Sequence, residues 1–240
     1  MQKVKVTIVC PWWRRWEVTL RHCKSMECFI KESPRWVEVN YLCIISQEDS
    51  DYKELVDIAH SFGFTATKYR NEPLGEKLNA GINTAINLFQ PDYIMNMGSD
   101  DLCDASIWKE YRPFIDNRDK LIGIDSCHIV DSETNEAYYL DLYNHKYPVG
   151  VLRMVLVDTI KLLHEKYRLP LYHSDINRGM DTASMNRLMK IGVRPTIIHT
   201  DWRPFSTGLK CNVSINHFQF LSSIERAKSI DVKILEKLLR

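Results

Sequence analysis

Short apolar runs rich in β-branched residues alternate with stretches of helical spacing through the first hundred residues of the chain. Residues 4–10 form one such run and read as a buried strand that Pro11 stops. Residues 15–31 have helical spacing, with Leu20, Cys23, Phe29 and Ile30 among the apolar positions. Residues 37–46 predict a second strand, closed by the acidic run from Gln47 to Asp51. Residues 52–62 predict a helix with Leu55, Ile58, Ala59 and Phe62 on one face, ended by Gly63. A short strand at 64–69 follows, then a helix at 75–89 that buries Leu78, Ile82 and Ala85, then a strand at 93–97. Strand and helix in strict alternation imply right-handed crossovers and a mostly parallel sheet.

Beyond Asp101 the pattern loosens. It predicts a helix at 107–114, a strand at 121–129, a Tyr-rich strand or hairpin arm at 136–143 and a short strand at 149–155. Helices at 158–167 and 179–191 follow, the second stopped by Gly192, then a strand at 196–199 and an amphipathic helix at 223–239. Residues 201–210, with Pro204 and Gly208, read as a loop able to close over a site. This half is more antiparallel and does not read as a separately folding unit. The expectation is one α/β domain with a Rossmann-type, mostly parallel sheet in residues 1–101 and a smaller mixed part in 102–240.

Composition narrows the function classes. With 240 residues, 45% hydrophobic and 26% charged, the chain fits an ordinary globular protein with a substantial core. A formal charge of +1 gives no general grip on nucleic acid and no polybasic membrane anchor. No apolar run reaches the ~20 residues that span a bilayer, and the first strand leaves no room for a signal peptide. The seven Cys show no Cys-x-x-Cys pair and no Cys/His ligand spacing, so they read as reduced thiols of a cytoplasmic protein.

The chemistry concentrates where strands end. The run Tyr93 to Met97 stops abruptly in Gly98, Ser99, Asp100 and Asp101. Two adjacent carboxylates resist joint ionisation unless a hard cation lies against them, and a carboxylate pair at a strand end suits a metal–diphosphate ligand. The same pair reads equally well as a turn that caps the next helix. In parallel sheets ligands lie beyond the carboxyl ends of the strands, here near Pro11–Arg15, Glu48–Asp51 and Gly98–Asp101. No Gly-x-Gly-x-x-Gly follows the first strand and no Walker-type Gly-Lys-Ser/Thr occurs.

These residues carry a resemblance. Val6-Thr-Ile-Val-Cys-Pro11, the helix block Leu78-Asn-Ala-Gly-Ile-Asn-Thr-Ala85 and the strand running through Gly98-Ser-Asp-Asp101 resemble the opening strand, helix and Asp-x-Asp strand of GT-A-fold, family 2-type glycosyltransferases. Gly150-Val-Leu-Arg153 resembles the returning strand that closes the donor site in that family, and Gly179-Met-Asp181 the start of the helix carrying the catalytic base. The likeness runs over most of residues 4–200, with the block 78–101 its specific part. One departure stands out: Gly98 occupies the place of the first acid of Asp-x-Asp.

The resemblance implies a transferase, hexosyltransferase-like, that uses a nucleoside-diphosphate sugar, UDP-linked by preference, and a hydroxyl acceptor. It implies Mn²⁺ or Mg²⁺ on Asp100, with Asp101 as a second ligand and His199 as a further one; His173 and His217 are competitors. Asp181 is implied as general base for an inverting transfer, with Asp175 its neighbour in competition; helix capping accounts for Asp181 equally. Pro11, Trp12, Glu48, Asp49, Lys77 and Asn79 are the implied donor-binding set. For Lys77 alone the pattern reading is a surface helix lysine. Trp12, Trp13 and Trp16, and later Tyr138, Tyr139, Tyr143, Tyr147 and Tyr172, supply aromatic faces that suit sugars or ordinary packing. A nucleotidyltransferase on a related scaffold would use the same carboxylates but attack phosphorus. A non-catalytic nucleotide-sugar-binding protein is the third reading. Modification of nucleic acid is disfavoured by the near-neutral charge.

Overall fold

In the computed structural model, residues 3–141, 147–211, 218 and 223–239 are described. The first half follows the alternation read from the sequence: β1 (Val4–Trp12), α1 (Trp16–Lys31), β2 (Val37–Ser46), α2 (Tyr52–Ser61), β3 (Thr65–Tyr69), α3 (Leu74–Phe89) and β4 (Tyr93–Asn96). Then come β5 (Asp101–Cys103), α4 (Ile107–Asp116), β6 (Leu121–Ile124), β7 (Ser126–Asp131), β8 (Ala137–Asp141) and β9 (Arg153–Leu156). The chain continues through α5 (Val157–Tyr167), α6 (Met180–Lys190), β10 (Thr196–Ile198), β11 (Ser206–Lys210) and β12 (Ala227–Ile230). A 3-10 turn, Val232–Leu235, leads into a last helical turn, Glu236–Leu239.

Seven strands form one sheet in the order β10-β6-β9-β4-β1-β2-β3. All pairings are parallel except those of β9, which runs against β4 and β6. The carboxyl ends of six strands and the amino end of β9 therefore share one rim. Alternating side chains of β1 and β2 feed both faces. Val6, Ile8, Cys10 and Trp12 meet Met26, Phe29 and Trp108 on one side, while Val9, Leu42 and Ile44 meet Leu78, Ile82 and Ala85 on the other. Gly81 makes the second contact feasible, because a Cβ there would fall 2.0 Å from Ile44 Cδ1.

A five-stranded sheet, order β12-β8-β7-β11-β5, carries the chain after Asp101. Several expectations are corrected here. The strand expected at 121–129 is two strands in different sheets, broken at Asp125, whose carboxylate accepts the Thr200 N–H at 3.1 Å. The expected closing loop at 201–210 contains β11, held between β7 and β5. The expected helix at 223–239 is largely β12, paired antiparallel with β8, and a capped 3-10 turn in which Asp231 accepts the Lys233 N–H. Backbone pairing along an open sheet edge outweighs weak helical spacing there. All seven cysteines are free thiols. No helix among the described residues is long and apolar enough to cross a membrane.

Candidate functional site

At the end of β4 the chain turns at Gly98 and enters β5 with Asp101, so the carboxylate pair does not cap α4, which starts six residues later at Ile107. Asp100 is 8% exposed. Its Oδ2 accepts from Lys210 Nζ at 2.7 Å and lies 3.4 Å from Arg15 Nη1. Arg15 Nη2 donates to Ser99 Oγ at 3.0 Å. Burial opposes ionisation of Asp100, but the adjacent Lys210 and Arg15 cations outweigh it and hold the carboxyl below the usual carboxylate range. Asp101 goes the other way: burial, then the Asp100 charge, push it up, although its Oδ2 accepts the Gly98 N–H at 2.7 Å.

Gly98 fits this arrangement sterically. A Cβ at that position would lie 2.7 Å from Asp100 Oδ1 and 3.2 Å from Asp101 Oδ2. The departure from Asp-x-Asp thus leaves room for the two carboxylates that follow it.

Beneath the pair lies a polar chain that the sequence reading missed. His22 Nδ1 is 2.5 Å from the Asp101 carbonyl, which can only accept, so Nδ1 carries the proton. His22 Nε2 then accepts from Tyr41 Oη at 2.5 Å, and Tyr41 Oη accepts from Trp12 Nε1 at 3.2 Å. Burial pushes His22 down to about 4, which keeps it neutral and the chain intact. The only signal in the sequence was a histidine on the apolar face of α1, beside Thr19 and Cys23.

The expected donor set separates into distinct roles. Lys77 is not a surface lysine: it is fully buried and donates to the Trp12 carbonyl at 2.8 Å and to Ser46 Oγ at 2.5 Å. Asp49 is buried and accepts the Arg14 N–H at 2.6 Å, which fixes the β1–α1 loop over the ends of β1 and β2. Glu48 accepts the Asn71 N–H at 3.0 Å. Pro11 is partly buried within β1. Trp12 turns its ring into the core, so only its carbonyl faces Lys77 and Ser46. Asn79 clamps the backbone of Tyr172 through two hydrogen bonds of 3.0 Å and serves to dock the segment before α6.

Asp181 lies in the first turn of α6, and its Oδ1 accepts from Arg153 Nη2 at 2.7 Å. Arg153 pairs with Asn96 across β9 and β4, two residues before Gly98, so this carboxylate stands on the rim that carries Asp100. Gly150 makes space for it: a Cβ there would lie 2.5 Å from Asp181 Oδ2.

His199 does not join the carboxylate pair. Its Nδ1 is 2.9 Å from the buried Asp125 Oδ2, past the carboxyl ends of β10 and β6 and separated along the rim from β4 by β9. Among the described residues no three His, Cys, Asp or Glu side chains converge as a metal site. His217 and Tyr143 lie outside the described residues. As arranged, the expected set Asp100, Asp101 and His199 does not fit a divalent ion. Asp100 is already ion-paired twice, Asp101 is engaged by Gly98, and His199 is held by Asp125.

No protein-family profile matches the chain, and no curated protein matches it in sequence. Solved structures do match. S. aureus TarS 1–349 in complex with UDP-GlcNAc superposes with a TM-score of 0.59 at 12% identity, over 92% of this chain and 61% of that one. Its complex with UDP gives 0.61 at 11%, over 86% and 60%. The chain thus spans about 60% of the length of that TarS fragment. The structure of 4-diphosphocytidyl-2C-methyl-D-erythritol synthase gives 0.55 at 14%, over 99% and 100%. At these identities the likeness concerns the fold: a glycosyltransferase-like α/β architecture with a parallel-rich sheet.

Proposed function

We propose that this chain is a glycosyltransferase that moves a sugar from a nucleoside-diphosphate sugar, UDP-linked by preference, to an acceptor hydroxyl with inversion. The observation that carries the reading is the shared rim: a buried cation–carboxylate cluster at Asp100 and a half-exposed carboxylate, Asp181, fixed by the buried Arg153. The acceptor oxygen bonds to the anomeric carbon while the bond from that carbon to the diphosphate oxygen breaks. The nucleoside diphosphate leaves with the electron pair, and the acceptor proton passes to Asp181. Positive groups beside the leaving diphosphate stabilise the charge that grows there. Lys77, Ser46 and Asp49, grouped between the ends of β1 and β2, form the nucleoside end. The likeness to TarS solved with UDP-GlcNAc supports this donor class.

Titration of the protein with UDP-, GDP- and dTDP-sugars, followed by assay of released nucleoside diphosphate with an acceptor panel, tests the reading. Binding of none of them by folded protein would remove it.

A second reading is favoured by one observation. One match runs end to end, to a 4-diphosphocytidyl-2C-methyl-D-erythritol synthase, and Arg14 and Arg15 sit in the loop after β1 where a nucleotidyltransferase needs cations. Attack on phosphorus would release pyrophosphate instead, so the released product separates the two.

A further inference from the structure

We propose that this protein meets the charge of its nucleoside-diphosphate ligand with two fixed side-chain cations, Lys210 and Arg15, in the place where the resemblance puts a divalent metal ion. The inference rests on the donor class proposed above and adds how the diphosphate is held.

The cations are built in rather than incidental. Lys210 ends β11, whose backbone is locked to β7 on one side and β5 on the other, and the Leu209 N–H donates to the Asp100 carbonyl at 2.7 Å. The Lys210 side chain is 13% exposed and folds back over Gly208. A Cβ at Gly208 would lie 3.0 Å from Lys210 Nζ and 3.1 Å from its Cε, so the missing side chain is the channel through which the ammonium reaches Asp100. Arg15 arrives from the opposite direction. It sits in the left-handed region, φ 58°, immediately before α1, and its guanidinium spans Ser99 and Asp100.

Charge then decides the ligand. Lys210 and Arg15 outnumber the ionised Asp100, and burial and the Asp100 charge push the neighbouring Asp101 up towards its neutral form, so the cluster is net positive while Asp101 holds its proton. The Arg15 side chain makes no cap to the sixteen-residue α1 that begins beside it. Helix amides and a guanidinium at one spot favour an anion. A divalent ion on Asp100 would share Oδ2 with an ammonium 2.7 Å away, a like-charge contact. A groove of about 370 Å³ opens beside Arg15, where the cations Arg15 and Arg21 face the carboxylates Glu17 and Glu133.

The test is calorimetric titration of the full chain with UDP, once in EDTA and once in Mn²⁺. Binding in EDTA with an affinity that Mn²⁺ changes less than about threefold is expected. UDP binding that appears only with Mn²⁺ overturns the inference and leaves the donor reading standing. Absence of binding by UDP, GDP and dTDP under both conditions overturns the donor reading and this inference with it. Lys210→Met should lose about tenfold or more in affinity in EDTA, and Lys210→Arg should recover most of it. If Lys210→Met does not fold, Gly208→Val, which presses on the end of the Lys210 side chain, replaces it with the same expected loss. A folded Lys210→Met or Gly208→Val protein that binds UDP in EDTA as tightly as the parent overturns the proposal.

Discussion

Arg153 and Asp181 meet at 2.7 Å across 28 residues of sequence, the guanidinium side chain 2% exposed and the carboxylate 54% exposed. A buried cation thus fixes one oxygen of a carboxylate whose outer part faces solvent, an arrangement suited to a base that must stay in one place. Asp181→Asn should lower turnover by about 10²–10⁴-fold while UDP affinity stays within about threefold. Arg153→Met should lower kcat by about tenfold or more, and Arg153→Lys should recover part of it. Steady-state kinetics with a donor–acceptor pair, together with UDP titration, check both; equal losses in binding and turnover would assign Asp181 to capping α6 instead.

Gly98 is the second test position, because a Cβ there would come within 2.7 Å of Asp100 Oδ1. Restoring the missing acid of Asp-x-Asp should therefore not restore a familiar site. Both Gly98→Ala and Gly98→Asp should displace the Asp100 carboxylate from Lys210, at a cost of about 1–3 kcal/mol in stability. Both should also weaken UDP binding. Urea unfolding and UDP titration of the two variants read these effects, and a Gly98→Asp protein as stable as the parent would show that the turn can accommodate the acid.

The contrast between legible and illegible parts follows from range. β1 to β4 were readable because each strand is an apolar run and each helix repeats its apolar face, a local signal. The break at Gly98, the carboxylates at the strand end and Asp181 at a helix start were readable for the same reason. β5 and β11 were not: Asp101–Cys103 and Ser206–Lys210 are short, polar and held by partners distant in sequence. Lys210 reaches Asp100 over 110 residues, and no spacing rule announces such a pair. For Lys77 the pattern alone gave a surface residue, because a lysine on a helix is usually solvated. Its burial becomes visible only once Trp12 and Ser46 are placed beside it.

Acid should weaken the fold through two histidines. Burial pushes His22 and His128 down to about 4 from an ordinary value of 6.5. Between those values the unfolded chain binds protons that the folded chain refuses. Stability is therefore fully present above pH 6.5 and falls as pH drops towards 4, by up to about 3 kcal/mol for each group. Urea unfolding from pH 7.5 to pH 4 should show this decline, and His128→Phe should flatten it. An unchanged pH slope in that variant would show that His128 does not carry its share.

Lys77 makes the opposite trade. It is fully buried, its ammonium is bonded to a carbonyl and a hydroxyl rather than to a carboxylate, and burial pushes it down to about 8 from 10.5. The folded state is thus disfavoured by the charged lysine at every pH below about 8, and the disadvantage fades as pH rises to 10.5, where the unfolded chain also loses the proton. Lys77→Met removes the charge and leaves the single Ser46 Oγ proton to be shared between the Trp12 carbonyl at 3.1 Å and Asn71 Oδ1 at 2.7 Å. The variant should be more stable than the parent at pH 7, by on the order of 1–3 kcal/mol, and the gap should close between pH 8 and pH 10.5. It should also bind UDP about tenfold more weakly, if the lysine is kept for the nucleoside end of the site. Denaturant unfolding across this pH range and a UDP titration settle both halves. A variant less stable at pH 7, with a gap indifferent to pH, would mean that Lys77 is a structural strut between β1 and β2 and has no part in the ligand site.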